Sequence, residues 1–166
     1  MWADTDVDGV MFMDDWGSQT SLLISPSMWR EYFKPLYKDY CTILRSKNKR
    51  VFFHSCGHTE AIFGDLIEIG VEAINTQIFC MNIEELGEKY SGKIVFRGDI
   101  DRQHILPFET TDGIRKAVRR VAKALMRRDK NTEMTGIISQ CGFGNIDPTE
   151  NILAVYDEWE KIIDVL

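Results

Sequence analysis

Three side chains of this chain have the types and positions of metal ligands. His54 and Cys56 lie in the segment VFFHSCGH, and Cys141 lies in GIISQCGFG, each where an apolar run gives way to glycine. Residues i and i+2 of a strand point to the same face, so His54 and Cys56 can reach one ion while Ser55 points away. Three nitrogen and sulfur ligands suit Zn²⁺ and leave its fourth tetrahedral position open, as in catalytic zinc sites. The trio therefore predicts zinc chemistry rather than a pair of core cysteines.

Five more polar side chains follow apolar runs and are candidates for the same site. Either aspartate of the DDWG segment can supply a fourth ligand or accept the histidine N–H, although capping a turn explains these aspartates equally well. The aspartates of RGDID can orient a substrate, and the glutamine before the distant cysteine can donate or accept a hydrogen bond there. We assign catalytic roles to Asp15 and Asp99 and substrate contacts to Asp14, Asp101 and Gln140.

The elements that must position these side chains alternate between short apolar runs and amphipathic stretches. Each apolar run ends in polar or glycine residues, which predicts strands that deliver polar groups at their carboxyl ends. The predicted strands are Gly9 to Met13, Val51 to His54, Glu72 to Thr76, Ile94 to Gly98 and Met134 to Ser139.

A helix is predicted after each strand. The first begins at the Ser25-Pro26 cap, and Pro35 predicts a kink inside it. Its predicted buried stripe is Trp29, Phe33, Leu36, Tyr40, Ile43 and Leu44. The remaining helices are predicted over about 59 to 70, from Asn82 with Glu85 in a capping box, over 112 to 128, and from Asp147-Pro148 with Glu150 after the cap. The last is expected to bury Leu153, Tyr156, Trp159 and Ile163.

Strand followed by helix, repeated five times, predicts a parallel sheet with right-handed crossovers. Polar motifs at the carboxyl ends of the strands favour a barrel over an open doubly wound sheet, because (β/α) barrels build their active sites there. A complete barrel has eight units in about 250 residues. We therefore expect a single domain over residues 1–166 that forms a partial barrel.

Composition excludes some functions without naming one. A net charge of −6 and a pI near 5.1 argue against a nucleic-acid-binding protein, and the basic stretch between residues 115 and 128 reads as a solvated helix face. The apolar runs are too short to cross a bilayer, and residues 1–25 lack a secretory signal. We expect a cytoplasmic protein whose cysteines are thiols or metal ligands rather than disulfides.

The quoted motifs, together with ISPSMWREYFKP and CGFGNIDPTENI, resemble the uroporphyrinogen decarboxylase superfamily over nearly the whole chain. The resemblance implies a (β/α)8 barrel of the TIM type, of which this chain carries the carboxyl-terminal part with about five βα units. One branch of the superfamily decarboxylates uroporphyrinogen without a cofactor. The other transfers a methyl group from a methylated corrinoid protein to a thiol, using zinc held by His-x-Cys and a distant Cys.

His54, Cys56 and Cys141 match the zinc pattern of the methyltransferase branch, so the resemblance implies zinc, a methylcobalamin-bearing partner protein and a small thiol acceptor. Two alternatives stay open. The first is a decarboxylase-like lyase acting on a tetrapyrrole without metal, against which the scarcity of basic residues at the strand ends counts. The second is a fragment or non-catalytic module, because an unclosed sheet exposes strand edges that a homo-oligomer or a missing amino-terminal half would cover.

Overall fold

The computed structural model describes residues 2–126, 137–139 and 142–164. Two site predictions, Gln140 and Cys141, lie outside these residues. So do the predicted start of the last strand at Met134 and the predicted end of the fourth helix at Arg128.

The described residues form one parallel sheet of five strands in the order β1-β2-β3-β4-β5. The strands are β1 (Gly9–Met13), β2 (Arg50–His54), β3 (Ala73–Asn75), β4 (Val95–Arg97) and β5 (Ile137–Ile138). Spatial order follows chain order throughout, whereas a doubly wound sheet reverses direction at a switch point. The predicted partial (β/α) barrel is therefore confirmed.

Alternation along the strands separates a helix-facing side of the sheet from a concave side. Phe53, Ile74 and Phe96 are fully buried against the helices. The next residue of each strand points the opposite way, and these residues are paired in register across the sheet, His54 with Asn75 and Asn75 with Arg97. One row on the concave side thus carries His54 and its neighbours at the carboxyl ends of the strands.

The first helical stretch begins as predicted, because Ser25 accepts a hydrogen bond from the Met28 N–H and proline occupies the first turn. It continues as α1 (Pro26–Met28), a π-helical turn (Trp29–Phe33) and α2 (Lys34–Ser46). A π turn bonds residue i to i+5 and so adds one residue, which rotates the buried face of the helix beyond it.

Beyond Phe33 the predicted stripe is wrong at three of its four positions for that reason. Leu36, Tyr40 and Ile43 are exposed. Tyr37 and Cys41 are buried instead, and Leu44 is buried as predicted. The π turn ends immediately before the turn that contains Pro35, where we predicted a kink.

The middle helices are α3 (Phe63–Ile69), α4 (Ile83–Tyr90) and α5 (Thr111–Leu125). Gly70, with φ of 98°, ends α3, and Asn82 caps α4 by accepting a hydrogen bond from the Glu85 N–H. Within the described ranges, no helix is long and apolar enough to cross a membrane.

The last helix, α6 (Thr149–Asp164), packs on α5 through a stripe that differs from the prediction. Trp159 is buried as expected, but Leu153, Tyr156 and Ile163 are exposed. Two polar residues of α6 are also buried. Asn151 donates to the Leu106 and Glu109 carbonyls, and Glu158 accepts from Arg119. A hydrophobic pattern alone does not reveal polar residues that are buried because they have partners.

Candidate metal site

Three ligand atoms converge beyond the carboxyl ends of β1 and β2. They belong to Asp15, His54 and Cys56, and all lie within 4.8 Å of one another. His54 Nε2 lies 3.7 Å from Cys56 Sγ and 3.6 Å from Asp15 Oδ1. The predicted pairing of His54 with Cys56 on one side of the chain is therefore borne out by the geometry, and Asp15 joins them. We call these three residues the ligand cluster.

The spacing of the ligand cluster fits a zinc ion. Zinc binds imidazole nitrogen at about 2.0–2.1 Å, thiolate sulfur at about 2.3 Å and carboxylate oxygen at about 2.0–2.2 Å. At tetrahedral angles these bonds put ligand atoms about 3.4–3.6 Å apart. The two distances from His54 Nε2, 3.7 Å and 3.6 Å, match that separation closely. The mixed nitrogen, sulfur and oxygen donor set is also one that zinc accepts.

The loop after β1 is fastened to the loop after β2 by hydrogen bonds that hold the ligand cluster together. Asp15 Oδ1 accepts from the Cys56 N–H at 2.8 Å, so the carboxylate is anchored beside the thiol. Ser55, which points away from the cluster as predicted, is fully buried and its Oγ accepts from the Trp16 N–H at 2.9 Å. Asp15 and Ser55 thus each tie one loop to the other.

His54 makes a second polar contact on the side opposite the cluster. Its Nδ1 lies 2.7 Å from Oδ1 of Asn75, the register partner on β3. Asn75 is almost buried, and its Nδ2 donates to the Arg97 carbonyl at 2.9 Å. A histidine that binds metal through one nitrogen commonly has such a partner at the other nitrogen.

The electrostatics of the cluster favour a cation. Burial raises the pKa of the Cys56 thiol, the negative charge of Asp15 raises it further, and the guanidinium of Arg102 opposes both. A thiolate and a carboxylate held this close repel each other unless positive charge lies between them. A bound metal ion supplies that charge and keeps a coordinated thiol deprotonated.

Asp14 does not join the ligand cluster. Its Oδ2 accepts a hydrogen bond from the Tyr37 hydroxyl at 2.8 Å, and that hydroxyl accepts from Trp16 Nε1 at 3.0 Å. Burial and the Asp14 carboxylate both raise the pKa of Tyr37, so the phenol remains a donor. Asp14 therefore fixes the first loop against α2.

Asp99 lies beyond β4 and contacts the chain after β5. Its Oδ1 accepts from the Ile100 N–H at 3.0 Å and from the Gly142 N–H at 3.1 Å. Its Oδ2 lies 3.5 Å from Arg102 Nε. Burial raises the pKa of Asp99, while these donors and the guanidinium oppose the increase.

Asp101 holds the following turn and lies apart from the ligand cluster. Its Oδ1 accepts from the backbone N–H groups of Gln103 and His104, at 2.7 Å and 3.0 Å. Together with Asp99 it lines a small cleft of about 90 Å³, which also contains Cys80 and Gln77. Gln77 accepts a hydrogen bond from the Gly57 N–H, so the cleft adjoins the loop that carries Cys56.

Sequence reasoning assigned no role to two residues that contact the site, Asn75 and Arg102. A usable signal existed for both. Asn75 is the polar residue that ends β3 beside His54. Arg102 is the basic residue that directly follows Asp99 and Asp101. Of the cysteines in the described residues, Cys41, Cys56 and Cys80 are free thiols.

Comparison with known proteins agrees with this architecture. The profile of the family "Uroporphyrinogen decarboxylase (URO-D)" matches residues 1–161. A solved structure of a methyltransferase from Methanosarcina mazei superposes with a TM-score of 0.69 at 17% sequence identity. The alignment covers 95% of this chain and 43% of that chain, so this chain spans less than half the length of the solved protein. No curated protein sequence matches significantly.

Proposed function

The chain belongs to the uroporphyrinogen decarboxylase family, and on that premise we propose that it acts as a zinc-dependent methyltransferase. In this proposal a methyl group passes from a methylated corrinoid, carried by a partner protein, to a small thiol or a related acceptor. The structural similarity to a methyltransferase supports this branch of the family.

The observation that carries the proposal is the ligand cluster. An imidazole nitrogen, a thiol sulfur and a carboxylate oxygen meet within 4.8 Å at the carboxyl end of a parallel sheet. Decarboxylation of a tetrapyrrole without a metal gives no reason for a cysteine, a histidine and an aspartate to converge with the spacing of zinc ligands.

Cys141 completes the proposed ligand set. The residue that follows it, Gly142, donates its N–H to Asp99 at 3.1 Å and lies against the side chain of Arg102. Arg102 in turn lies close enough to the Cys56 thiol to influence its charge. Gly142 thus contacts a residue that acts on the Cys56 thiol, and this supports the proposal that Cys141 is a ligand.

Zinc bound here would lower the pKa of a substrate thiol and present it as a reactive thiolate. The protein residues have separate tasks. His54, Cys56 and Cys141 hold the ion, while Asp15 is the fourth protein ligand or gives way to the substrate. Asp99 and Asp101 shape the cleft beside the ion, and Gln140 stays a proposed substrate contact.

Metal analysis of single-cysteine variants tests the proposal. We expect about one zinc per chain in the purified protein, and loss of that zinc in Cys56→Ser and Cys141→Ser, because each removes a thiolate. Cys80→Ser is the matched control. Cys80 lines the cleft and donates to Gln19 at 3.2 Å, a contact that serine can keep. Retention of zinc by both ligand variants would refute the assignment.

A thiol methylation assay with methylcobalamin then separates catalysis from metal binding alone. Because the chain spans 43% of the solved methyltransferase, we expect weak turnover by this chain in isolation. Zinc-dependent methylation that Cys56→Ser abolishes and Cys80→Ser retains would support the enzyme assignment. Methylation that survives removal of the metal would contradict it.

One observation favours a second candidate, a decarboxylase-like lyase for an anionic tetrapyrrole. Arg97 lies on the concave side of β4, and no carboxylate of the described residues lies within ion-pair distance of it. Its side chain instead donates to Met11 Sδ at 3.6 Å. A cation without an acidic partner suits a substrate carboxylate. Turnover of uroporphyrinogen by metal-free protein, reduced in Arg97→Gln, would favour this candidate over the methyltransferase.

A non-catalytic role is the third candidate, and the exposed edge of β1 favours it. In the described part of the chain β1 pairs with β2 alone, and an apolar groove formed with Trp2, Tyr40 and Ile43 adjoins it. Unpaired strand edges in proteins are commonly covered by another chain or segment. Gel filtration tests this, because a stable monomer of 19.2 kDa would count against a required partner.

A further inference from the structure

Hydrogen bonds link His54 to the backbone of β4 through one intervening side chain. His54, Asn75 and Arg97 are register partners on three adjacent strands. Asn75 Oδ1 lies 2.7 Å from His54 Nδ1, and Asn75 Nδ2 lies 2.9 Å from the Arg97 carbonyl oxygen. Each contact has the length of a good hydrogen bond.

The Arg97 carbonyl determines how the Asn75 amide is oriented. A carbonyl oxygen can only accept, so the NH₂ group of Asn75 must face it, and the amide oxygen must face His54. The reverse orientation would place the Asn75 amide oxygen against the Arg97 carbonyl oxygen, and both atoms are acceptors. On the other side the NH₂ group could still donate to an unprotonated Nδ1, so the Arg97 carbonyl alone decides the orientation.

The Asn75 amide in turn determines the tautomer of His54. An amide oxygen accepts hydrogen bonds, so Nδ1 of the ring must carry the proton. A neutral imidazole has a single N–H, which leaves the lone pair on Nε2. Nε2 is the atom that lies 3.7 Å from Cys56 Sγ and 3.6 Å from Asp15 Oδ1.

We propose that Asn75 is a positioning residue that selects the Nδ1–H tautomer of His54 and thereby keeps Nε2 free to bind a metal ion. The Arg97 carbonyl on β4 sets the orientation of the Asn75 amide, so the tautomer is selected without a charged partner. The consequence for metal binding rests on the proposed function, whereas the tautomer itself does not.

An amide suits this task better than the carboxylates that the sequence suggested. Asp15 is already a member of the cluster, and Asp14 is bound to Tyr37. An additional carboxylate at position 75 would add negative charge behind the ring and could not donate to the Arg97 carbonyl. Asparagine makes both hydrogen bonds at once and stays neutral.

Nitrogen NMR of the metal-free chain tests the tautomer directly. With ring nitrogens labelled and the pH near 8.5, about two units above the ordinary histidine pKa, neutral tautomers are distinguished by which nitrogen carries the proton. His54→Gln identifies the signals of His54 among those of the three histidines. We expect a protonated Nδ1 in the natural chain. A protonated Nε2 would overturn the proposal.

Asn75→Leu removes the amide at similar size. We expect a mixture of both tautomers at His54 and zinc affinity lower by about 10- to 100-fold, as for other losses of a ligand's hydrogen-bond partner. Asn151→Leu is the matched control, because Asn151 is also buried and donates to the Leu106 and Glu109 carbonyls. It should leave the tautomer and the zinc affinity unchanged. An unchanged tautomer in Asn75→Leu would overturn the proposal.

Asn75→Asp keeps the test valid if the leucine variant does not fold. Its carboxylate can accept from Nδ1 but cannot donate to β4, so the Nδ1–H tautomer should persist, and an Nε2–H tautomer would contradict the proposal. Failure of the proposed function is recognised separately. If the natural chain binds no zinc yet shows the Nδ1–H tautomer, the zinc assignment fails and the positioning role stands.

Discussion

Gly17 and Gly57 lie with their backbones in direct contact, which presses the loop carrying Asp15 onto the loop carrying Cys56. A Cβ added at Gly17 would lie 2.5 Å from the Cys56 carbonyl oxygen, and one added at Gly57 would collide with Ser18 and Gly17. Gly57 also has φ of 78°. The ligand cluster therefore depends on glycine at both positions, because side chains there would force the two loops apart.

We predict that Gly57→Ala destabilises the fold by about 2–4 kcal/mol, since it combines a strained positive φ with a backbone collision. Zinc binding should weaken along with stability, because Cys56 is the preceding residue. Gly64→Ala is the control. An added Cβ there meets nothing within 4 Å, so in helix α3 it should stabilise by about 0.5–1 kcal/mol. Urea unfolding measures the stability of both variants. Equal stabilities of Gly57→Ala and Gly64→Ala would contradict the contact between the two loops.

Substituting the two adjacent aspartates separately should give different results. Asp15→Ala is expected to weaken zinc binding by at least about tenfold, because Asp15 belongs to the ligand cluster. Asp14→Ala should leave zinc affinity nearly unchanged and cost about 1–3 kcal/mol of stability, because it leaves the Tyr37 hydroxyl without its acceptor. Chelator competition and thermal unfolding give the two readouts. A larger metal defect in the Asp14 variant would reverse the assignment.

Asp99→Ala is predicted to release the backbone at Gly142, because the carboxylate is the acceptor of that N–H. We expect faster hydrogen exchange of the Gly142 amide and a loss of about 1–3 kcal/mol in stability. Asp101→Ala provides the comparison, since it should speed exchange only at Gln103 and His104. Equal exchange of the Gly142 amide in both variants would show that Asp99 does not hold this segment.

Alkaline pH should destabilise the protein partly through Cys41. Burial raises the pKa of this thiol from 9.0 to about 11, so the unfolded chain loses the proton first. The resulting contribution to stability is complete below about pH 9 and disappears as the pH rises to about 11. It amounts to roughly 1–3 kcal/mol.

Cys41→Ala isolates that contribution. The variant loses packing at every pH, but its stability should fall less steeply between about pH 9 and pH 11 than that of the natural chain. Tyr37 contributes in the same direction in both proteins, because its pKa is also raised. Parallel stability curves from urea unfolding would show that Cys41 ionises normally.

Much of the scaffold could be predicted because its signals are local. The first strand, Gly9–Met13, has the predicted bounds, and the Ser25 and Asn82 caps occur where the sequence placed them. Strand periodicity also put His54 and Cys56 on one side with Ser55 buried on the other. Each of these features depends on a few consecutive residues.

The first helix shows where local reasoning failed. Its stripe was predicted on a uniform helical period, but the π turn at Trp29–Phe33 moved the burial from Leu36 and Tyr40 to Tyr37 and Cys41, while Leu44 is buried as predicted. Aromatic contacts stabilise the shifted register, since Trp29 stacks on Tyr37 with ring centroids 5.8 Å apart. A helical period read from sequence cannot anticipate one inserted residue.

The sequence by itself determined the order of strands and helices, the type of sheet and the placement of His54 and Cys56 on one side of the chain. Only the tertiary structure decided that Asp15 rather than Asp14 joins them, and that Asn75 rather than a carboxylate contacts Nδ1 of His54. The physical reason is distance along the chain. Periodicity and capping act over a few residues, whereas Asp15 and Cys56 are 41 positions apart. Their contact depends on how two loops pack, which no local pattern encodes.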